Sequence, residues 1–272
     1  MGSYRRRPTR PDSLSGDADA AAEAPDEGPP DTQPRVDAPV LEQLRCAEIV
    51  ACEQLPQGSN YSFALGLTNA GKDIDVLAIY KPRRGEVPLW DFPSGTLYKR
   101  EYAAYLTSAA LGWQFVPPTV IREGPYGVGS CQLYVQPTSD SHLFRWRHEH
   151  RAALMQMAVF DYITNNADRK AGHCLLDKDG NVWGIDHGLT FNTDPKLRTV
   201  LREFSGSALP SWLLDDVQRF ASSTSLDELL AQLKQLLATD EIAVFVKRIE
   251  RVLRQRVFPR LDNYDSVPRE WW

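Results

Sequence analysis

Residues 173–186 carry Asp179-Gly180 with apolar residues on both sides. Asp-Gly in that setting is a strong signal for a tight hairpin turn, because the favoured turn needs positive φ at its central positions. A two-residue loop pairs 178 with 181 and 177 with 182. Counting outward, His173 then stands opposite Asp186, about 5 Å away between Cα atoms. Asp168 lies just upstream on the entering loop. Three polar side chains therefore gather at the open end of one hairpin, a grouping that can hold a divalent cation and position a hydroxyl. Singly, each has a plainer reading, since a turn is usually only a turn and an Asp beside a His is usually surface chemistry. Their place at loop and strand ends, not on a solvated helix face, favours the joint reading.

The chain around this hairpin divides by periodicity. Residues 41–54 form a short helix leading into a strand, and 55–67 read as strand, small polar turn, strand. Another strand spans 74–81 and ends on Lys81 before Pro82. A Pro/Gly-rich insert (86–95) follows, and then a helix over about 98–110 carries Glu101 near its start. Residues 117–123 and 130–136 add two strands. From about 148 onward the spacing turns helical, through a helix that ends at Asn165-Asn166 and three more at 208–221, 225–237 and 239–256. The expected class is α+β, with a sheet-rich N-lobe (about 39–136) and a helical C-lobe (about 137–265), the carboxylate hairpin lying at their junction.

Composition narrows the function classes. At 272 residues and 42% hydrophobic content, a globular body of one or two domains is expected. A net charge of −5 gives no reason to expect nucleic-acid binding. No apolar run approaches the roughly 20 residues of a membrane span. The N-terminus lacks the apolar stretch of a secretory leader. A cytoplasmic protein without stable membrane insertion is expected, its Cys46, Cys52, Cys131 and Cys174 reduced. Residues 1–38 open on Arg5, Arg6, Arg7 and Arg10 and continue rich in Ala, Asp, Glu and Pro. So little apolar surface cannot offset ordering entropy, and a disordered tail is expected. Residues 266–272 read as a C-terminal tail.

Several short strings carry a resemblance. Asn166-x-Asp168-Arg169 fits a catalytic loop of the form N-x-D-R-x-x-x-N, and Ile185-Asp186-His187-Gly188 fits a D-x-G metal motif. Lys81 in Ile79-Tyr80-Lys81-Pro82, Glu101 in Lys99-Arg100-Glu101, Gly58-Ser59-Asn60-Tyr61 and Gln132-Leu133-Tyr134-Val135-Gln136 follow the same order. As a set they resemble the phosphatidylinositol 3-/4-kinase-like branch of the protein-kinase fold. The flavour is nearest to type II phosphatidylinositol 4-kinases and HipA-type kinases, and over 41–265 the chain resembles a bacterial family of similar length. The resemblance implies a two-lobed kinase fold that binds ATP with Mg²⁺ or Mn²⁺ and transfers a phosphoryl group to a hydroxyl-bearing substrate. It implies Asp168 as the base, with Asn166 and Arg169 supporting it. Lys81 would lie on the ATP phosphates, Glu101 would hold Lys81, and Gly58, Ser59 and Asn60 would cover the phosphates. Tyr134 and Val135 would form the hinge, and Asp186 would bind metal.

The pattern departs at one position. The residue five after Asp168 is normally an Asn that ligates metal, and here it is His173. Imidazole suits Mn²⁺ better than Mg²⁺. His173 is thus a ligand that shifts the preference toward Mn²⁺, a group for phosphate or water, or the mark of a weakened enzyme. Lys81, Asp168 and Asp186 are all retained, which favours activity. The alternatives are a nucleotide-binding pseudokinase with a scaffold role and AMP transfer on the same frame.

Overall fold

Alternation with period two builds the first half of the chain, and a 3.6-residue period builds most of the second. A computed structural model describes residues 28–30, 38–56, 61–69, 73–261 and 266–268. Most of the expected tail 1–38, Gly58, Ser59 and Asn60, and the terminal Trp271-Trp272 lie outside the described residues.

Five strands, β1 (Glu48–Gln54), β2 (Phe63–Thr68), β3 (Val76–Pro82), β4 (Thr119–Gly124) and β5 (Gly127–Leu133), form one antiparallel sheet. Their order is β1-β2-β3-β5-β4. One face buries Phe63, Leu65, Leu67, Ala78, Tyr80 and Cys131 against Leu44 of α1 (Ala38–Cys46). Successive strand residues point to opposite faces, so Ile79 and Lys81 face away from that core. Gly129 pairs with Pro82 at the end of β3, and a Cβ there would stand 2.5 Å from the Lys81 carbonyl oxygen. Only glycine lets β5 come this close to the backbone of Lys81.

The second strand of the 117–136 pair begins and ends three residues earlier than the sequence reading had it. Gly124-Pro125-Tyr126-Gly127 makes the turn, with Gly127 at φ +93°. Tyr134 and Val135 therefore leave the sheet and form the connection between lobes. The Tyr134 N–H still donates to the Leu77 carbonyl at 2.9 Å.

The helical lobe contains α3 (Leu143–Trp146), α4 (Arg151–Thr164), α5 (Ser211–Ala221), α6 (Thr224–Leu233) and α7 (Thr239–Gln255). In α7, Ile242, Phe245, Ile249 and Val252 recur at helical spacing and are buried. They share a core with Leu154, Met157 and Phe160 of α4. Helix α2 (Leu97–Ala110) lies between β3 and β4 in sequence, yet its Ala103, Ala104 and Tyr105 belong to this same helical-lobe core.

The carboxylate hairpin, β6 (Cys174–Leu176) and β7 (Val182–Gly184), is shifted by one residue from the expected register. Leu176 pairs with Val182 and Cys174 with Gly184. Asp177 N–H donates to the Asn181 carbonyl and Gly180 N–H to the Asp177 carbonyl, closing a three-residue loop with Gly180 at φ +80°. The Asp177 side chain selects this loop by accepting hydrogen bonds from the N–H groups of Asp179 and Asn181 and from Trp183 Nε1. His173 consequently bonds backbone to backbone with Ile185, not with Asp186.

Candidate active site

The catalytic-loop string grows out of the end of α4. Asn165 caps that helix in the left-handed conformation, at φ +56°. Its side chain donates to the carbonyls of Asn192 and Asp194 and accepts the Lys196 N–H. Behind the loop lies a fully buried ion pair. Arg169 meets Asp161 through two hydrogen bonds of 2.8 and 2.9 Å, and both side chains are 0% exposed. Asp161 also accepts from Asn166 Nδ2 at 2.9 Å, and Asn166 Oδ1 accepts the Asp168 N–H at 3.0 Å. The remaining Arg169 arm donates to the carbonyls of His173 and Ile185. One guanidinium thus joins the 166–169 loop to both ends of the hairpin.

The segment 185–188 is fixed from α2. Lys81 Nζ lies 2.5 Å from Glu101 Oε1 and 2.8 Å from Asp186 Oδ1. Glu101 Oε2 accepts the His187 N–H at 2.9 Å. Asp186 adopts φ +61°, a conformation costing a non-glycine residue about 1–2 kcal/mol. The bond from Glu101 to the next residue and the Lys81 ion pair both hold it there. Burial alone would lower the Lys81 pKa, but Asp186 and Glu101 raise it, so the ammonium stays charged. Lys81 in turn holds Asp186 well below the usual carboxylate range.

His173 reaches Asp186 in spite of the shifted register, with Nε2 at 3.3 Å from Oδ2. Its Nδ1 lies 3.0 Å from the Asp168 carbonyl oxygen. Nδ1 also lies 3.4 Å from the Lys170 backbone nitrogen, and the tautomer protonated on Nδ1 would leave Nε2 free to ligate. Burial pushes the His173 pKa down to about 4, so the ring is neutral at pH 7. Burial raises the Asp168 carboxyl above its ordinary value, and Lys170 Nζ stands 3.2 Å from it. His187 is fully buried, edge-on to Phe160, and its Nε2 accepts from Arg169 at 2.6 Å. Burial, followed by Arg169, keeps it neutral.

The family described as phosphatidylinositol 3- and 4-kinase matches residues 124–236. Protein Rv2133c of Mycobacterium tuberculosis is 36% identical over 260 residues, covering 83% of this chain and 92% of that protein. The chain belongs to the phosphatidylinositol 3- and 4-kinase-like family. Among solved structures, this kinase-like chain is similar to the Golgi casein kinase with Mn/ADP bound (TM-score 0.56, 15% identity, 85% of this chain and 78% of that one). It is similar too to hydra Fam20 with sugar (TM-score 0.55, 16% identity, 85% and 91%). These likenesses show the two-lobed kinase fold, and with the family match they support a phosphotransferase.

In this kinase-like frame Lys81, Glu101, Asp186, His173, Asp168, Asn166 and Arg169 converge at the junction of the lobes. Tyr134 and Val135 lie on the connection between lobes. Lys81 ends β3 with its ammonium paired to two carboxylates, and Glu101 is 3% exposed. Asp161 had no role in the sequence reading. Its signal was an acid inside the apolar run Met157-Ala158-Val159-Phe160, on a helix whose other residues there are core. Arg100, also without a role from sequence, is 1% exposed beside Glu101.

Proposed function

We propose that this chain is an ATP- and divalent-metal-dependent phosphotransferase that moves the γ-phosphate to a hydroxyl on a protein or small molecule. The observation that carries it is the Lys81 ammonium held between Glu101 and Asp186, with His173 bridging Asp186 to the backbone of Asp168. Phosphoryl transfer needs alignment and charge neutralisation more than covalent chemistry. Lys81 places a point charge against the α/β-phosphates, and Glu101 sets its position. Asp168 orients the acceptor hydroxyl and accepts its proton, helped by a pKa raised toward the working pH. Asn166 fixes Asp168 through its backbone N–H, and Arg169 ties this loop to the hairpin. Gly58, Ser59 and Asn60 are assigned to the phosphates and Tyr134-Val135 to the base.

The residues fit a divalent ion. Asp186 Oδ2 and the uncharged His173 Nε2 lie 3.3 Å apart, so a carboxylate oxygen and an imidazole nitrogen stand side by side as a donor pair. Asp186 and His173 would hold the ion, which neutralises phosphate charge when bound. The Golgi casein kinase structure, with Mn/ADP bound, agrees with this cofactor pair. A lipid acceptor is disfavoured because α5 and α7 turn their apolar residues into the core, and no helix among the described residues is long and apolar enough to cross a membrane.

The test is turnover of ATP by the purified chain with Mg²⁺ and with Mn²⁺, separating ADP, AMP and phosphorylated protein. ADP that disappears in Asp168→Ala and Asp186→Ala supports the reading. AMP with pyrophosphate would replace it by nucleotidyl transfer, and nucleotide binding without turnover by a pseudokinase.

A further inference from the structure

Adjacent residues of α2 grip the segment after Asp186 at two points. Glu101 accepts the His187 N–H, and Arg100 Nη1 donates to the Thr190 carbonyl at 2.6 Å. Thr190 Oγ1 donates to the His187 carbonyl at 2.7 Å, tying the two points together. The other arm of Arg100 reaches Glu241 Oε1 at 2.5 Å, in the first turn of α7. Glu241 is itself fixed, since its second oxygen accepts the Ala238 N–H at the start of that helix.

The insert before α2 adds a second attachment to the helical lobe. The Asp91 carbonyl accepts from Asn192 Nδ2 at 2.7 Å, and its carboxylate lies 3.1 Å from Lys196 Nζ. Lys196 also rests 4.8 Å from the centre of the Trp90 ring, and Phe92 lies 5.0 Å beneath the Arg100 guanidinium. From the far side, Arg248 Nη2 donates to the Asn192 carbonyl at 2.6 Å. Residues 190–196 are therefore held by α2, the insert, the end of α4 and α7 together.

We infer that Arg100 is a positioning residue whose pair with Glu241 fixes the rotation of α2, and so places Lys81 and Asp186. The chain of contacts is short. Glu101 is the neighbour of Arg100, it holds Lys81, and its second oxygen holds the backbone on which Asp186 keeps its left-handed turn. A rotation of α2 moves both groups at once. Arg100 fills this place because its planar fork serves a carboxylate and a carbonyl in fixed directions, which a lysine cannot do. The effect on rate rests on the phosphotransferase reading, whereas the mechanical coupling does not.

The experiment compares the full chain with Arg100→Met, Arg100→Lys and Glu241→Gln, and with Val217→Ala in the α5 core as a control for lost stability. Amide exchange is read in peptides covering 97–104 and 185–192, and kcat and KM for ATP are read beside it. Arg100→Met is expected to speed exchange in both peptides by roughly tenfold or more, and to lower kcat by roughly tenfold with a smaller change in KM. Arg100→Lys is expected to restore less than half of that loss, and Glu241→Gln to fall between. Val217→Ala is expected to lower the melting temperature and leave both peptides and kcat unchanged.

Exchange that rises only in 97–104, or kcat that falls no further than in Val217→Ala, overturns the inference. If Arg100→Met does not fold, Glu241→Gln decides by the same readouts. A wild type that turns over no ATP defeats the phosphotransferase reading alone, because the exchange measurements still decide the coupling.

Discussion

Asp161→Ala is expected to be among the most damaging single changes in the helical lobe, although Asp161 touches no proposed substrate. The carboxylate accepts from Arg169 Nε and Nη2 and from Asn166 Nδ2, all between 2.8 and 2.9 Å. Removing it leaves the Arg169 charge fully buried with two carbonyls and one imidazole nitrogen for company. Breaking such a pair from one side costs about 3–5 kcal/mol. For a folded body of this size each kcal/mol lowers the melting temperature by about 2–4 °C, so a fall of about 6–20 °C is expected. The assay is thermal unfolding followed by circular dichroism, run beside Arg169→Met and the double variant Asp161→Leu/Arg169→Met. The double variant removes both charges and should recover part of the lost stability, but not activity, since Asn166 and the hairpin lose their common anchor. A melting temperature within about 2 °C of wild type for Asp161→Ala would refute the reasoning. A double variant no more stable than the single would refute the burial argument in particular.

Further outcomes follow from other contacts. Lys81→Met should lower ATP turnover by roughly a hundredfold or more, measured as ADP release. Gly129→Ala should cost about 1–3 kcal/mol in urea unfolding, because its Cβ would meet the backbone of Lys81 and Pro82. Asp177→Ala should cost about 1–3 kcal/mol through the hairpin loop. Burial alone would raise the Asp177 pKa, but its bonds from Trp183 and Asn181 outweigh this and hold the folded value low. That contribution is present above the unfolded pKa of about 4 and is lost as pH falls through the lower folded value, so wild-type and variant melting curves should converge in acid. Burial pushes the Cys131 and Cys174 thiols up to about 12, so at pH 8 a thiol reagent should label only the exposed Cys46 and Cys52 until denaturant is added.

Much of the fold was legible because each lobe keeps one period: the apolar alternation of 63–82 and the stripe of α7 each leave a single way to bury a face. The hairpin register was not, because Asp179-Gly180 is compatible with loops of two or three residues. What decides between them is the Asp177 side chain, with Trp183 six residues away as one of its partners. Lys81 and Glu101 were legible as an ordered pair of motifs, but their burial was not, since it depends on α2 packing against both the sheet and the helical lobe's core. Asp161 and Arg100 were hidden for a related reason. A buried charge is recognisable only with its partner, and Glu241 lies 141 positions from Arg100.

His173 offers the sharpest test of the proposed metal site. In the related pattern an amide oxygen stands at this position, and hard oxygen suits Mg²⁺, whereas imidazole nitrogen suits Mn²⁺ better. The ring is prepared for ligation, being neutral at pH 7, held through Nδ1 by the Asp168 carbonyl, and 3.3 Å from Asp186 at Nε2. His173→Asn replaces the nitrogen by an oxygen donor without altering charge. The expected result is a Mn²⁺-to-Mg²⁺ ratio of turnover several-fold above one in wild type and close to one in the variant. Mn²⁺ affinity in the presence of ADP, read by paramagnetic resonance, should fall by roughly tenfold without reference to any acceptor. Equal turnover with the two ions, unchanged by the substitution, would remove His173 from the metal site. The Nδ1 bond to the Asp168 carbonyl would then be its whole role, holding the catalytic loop against the hairpin.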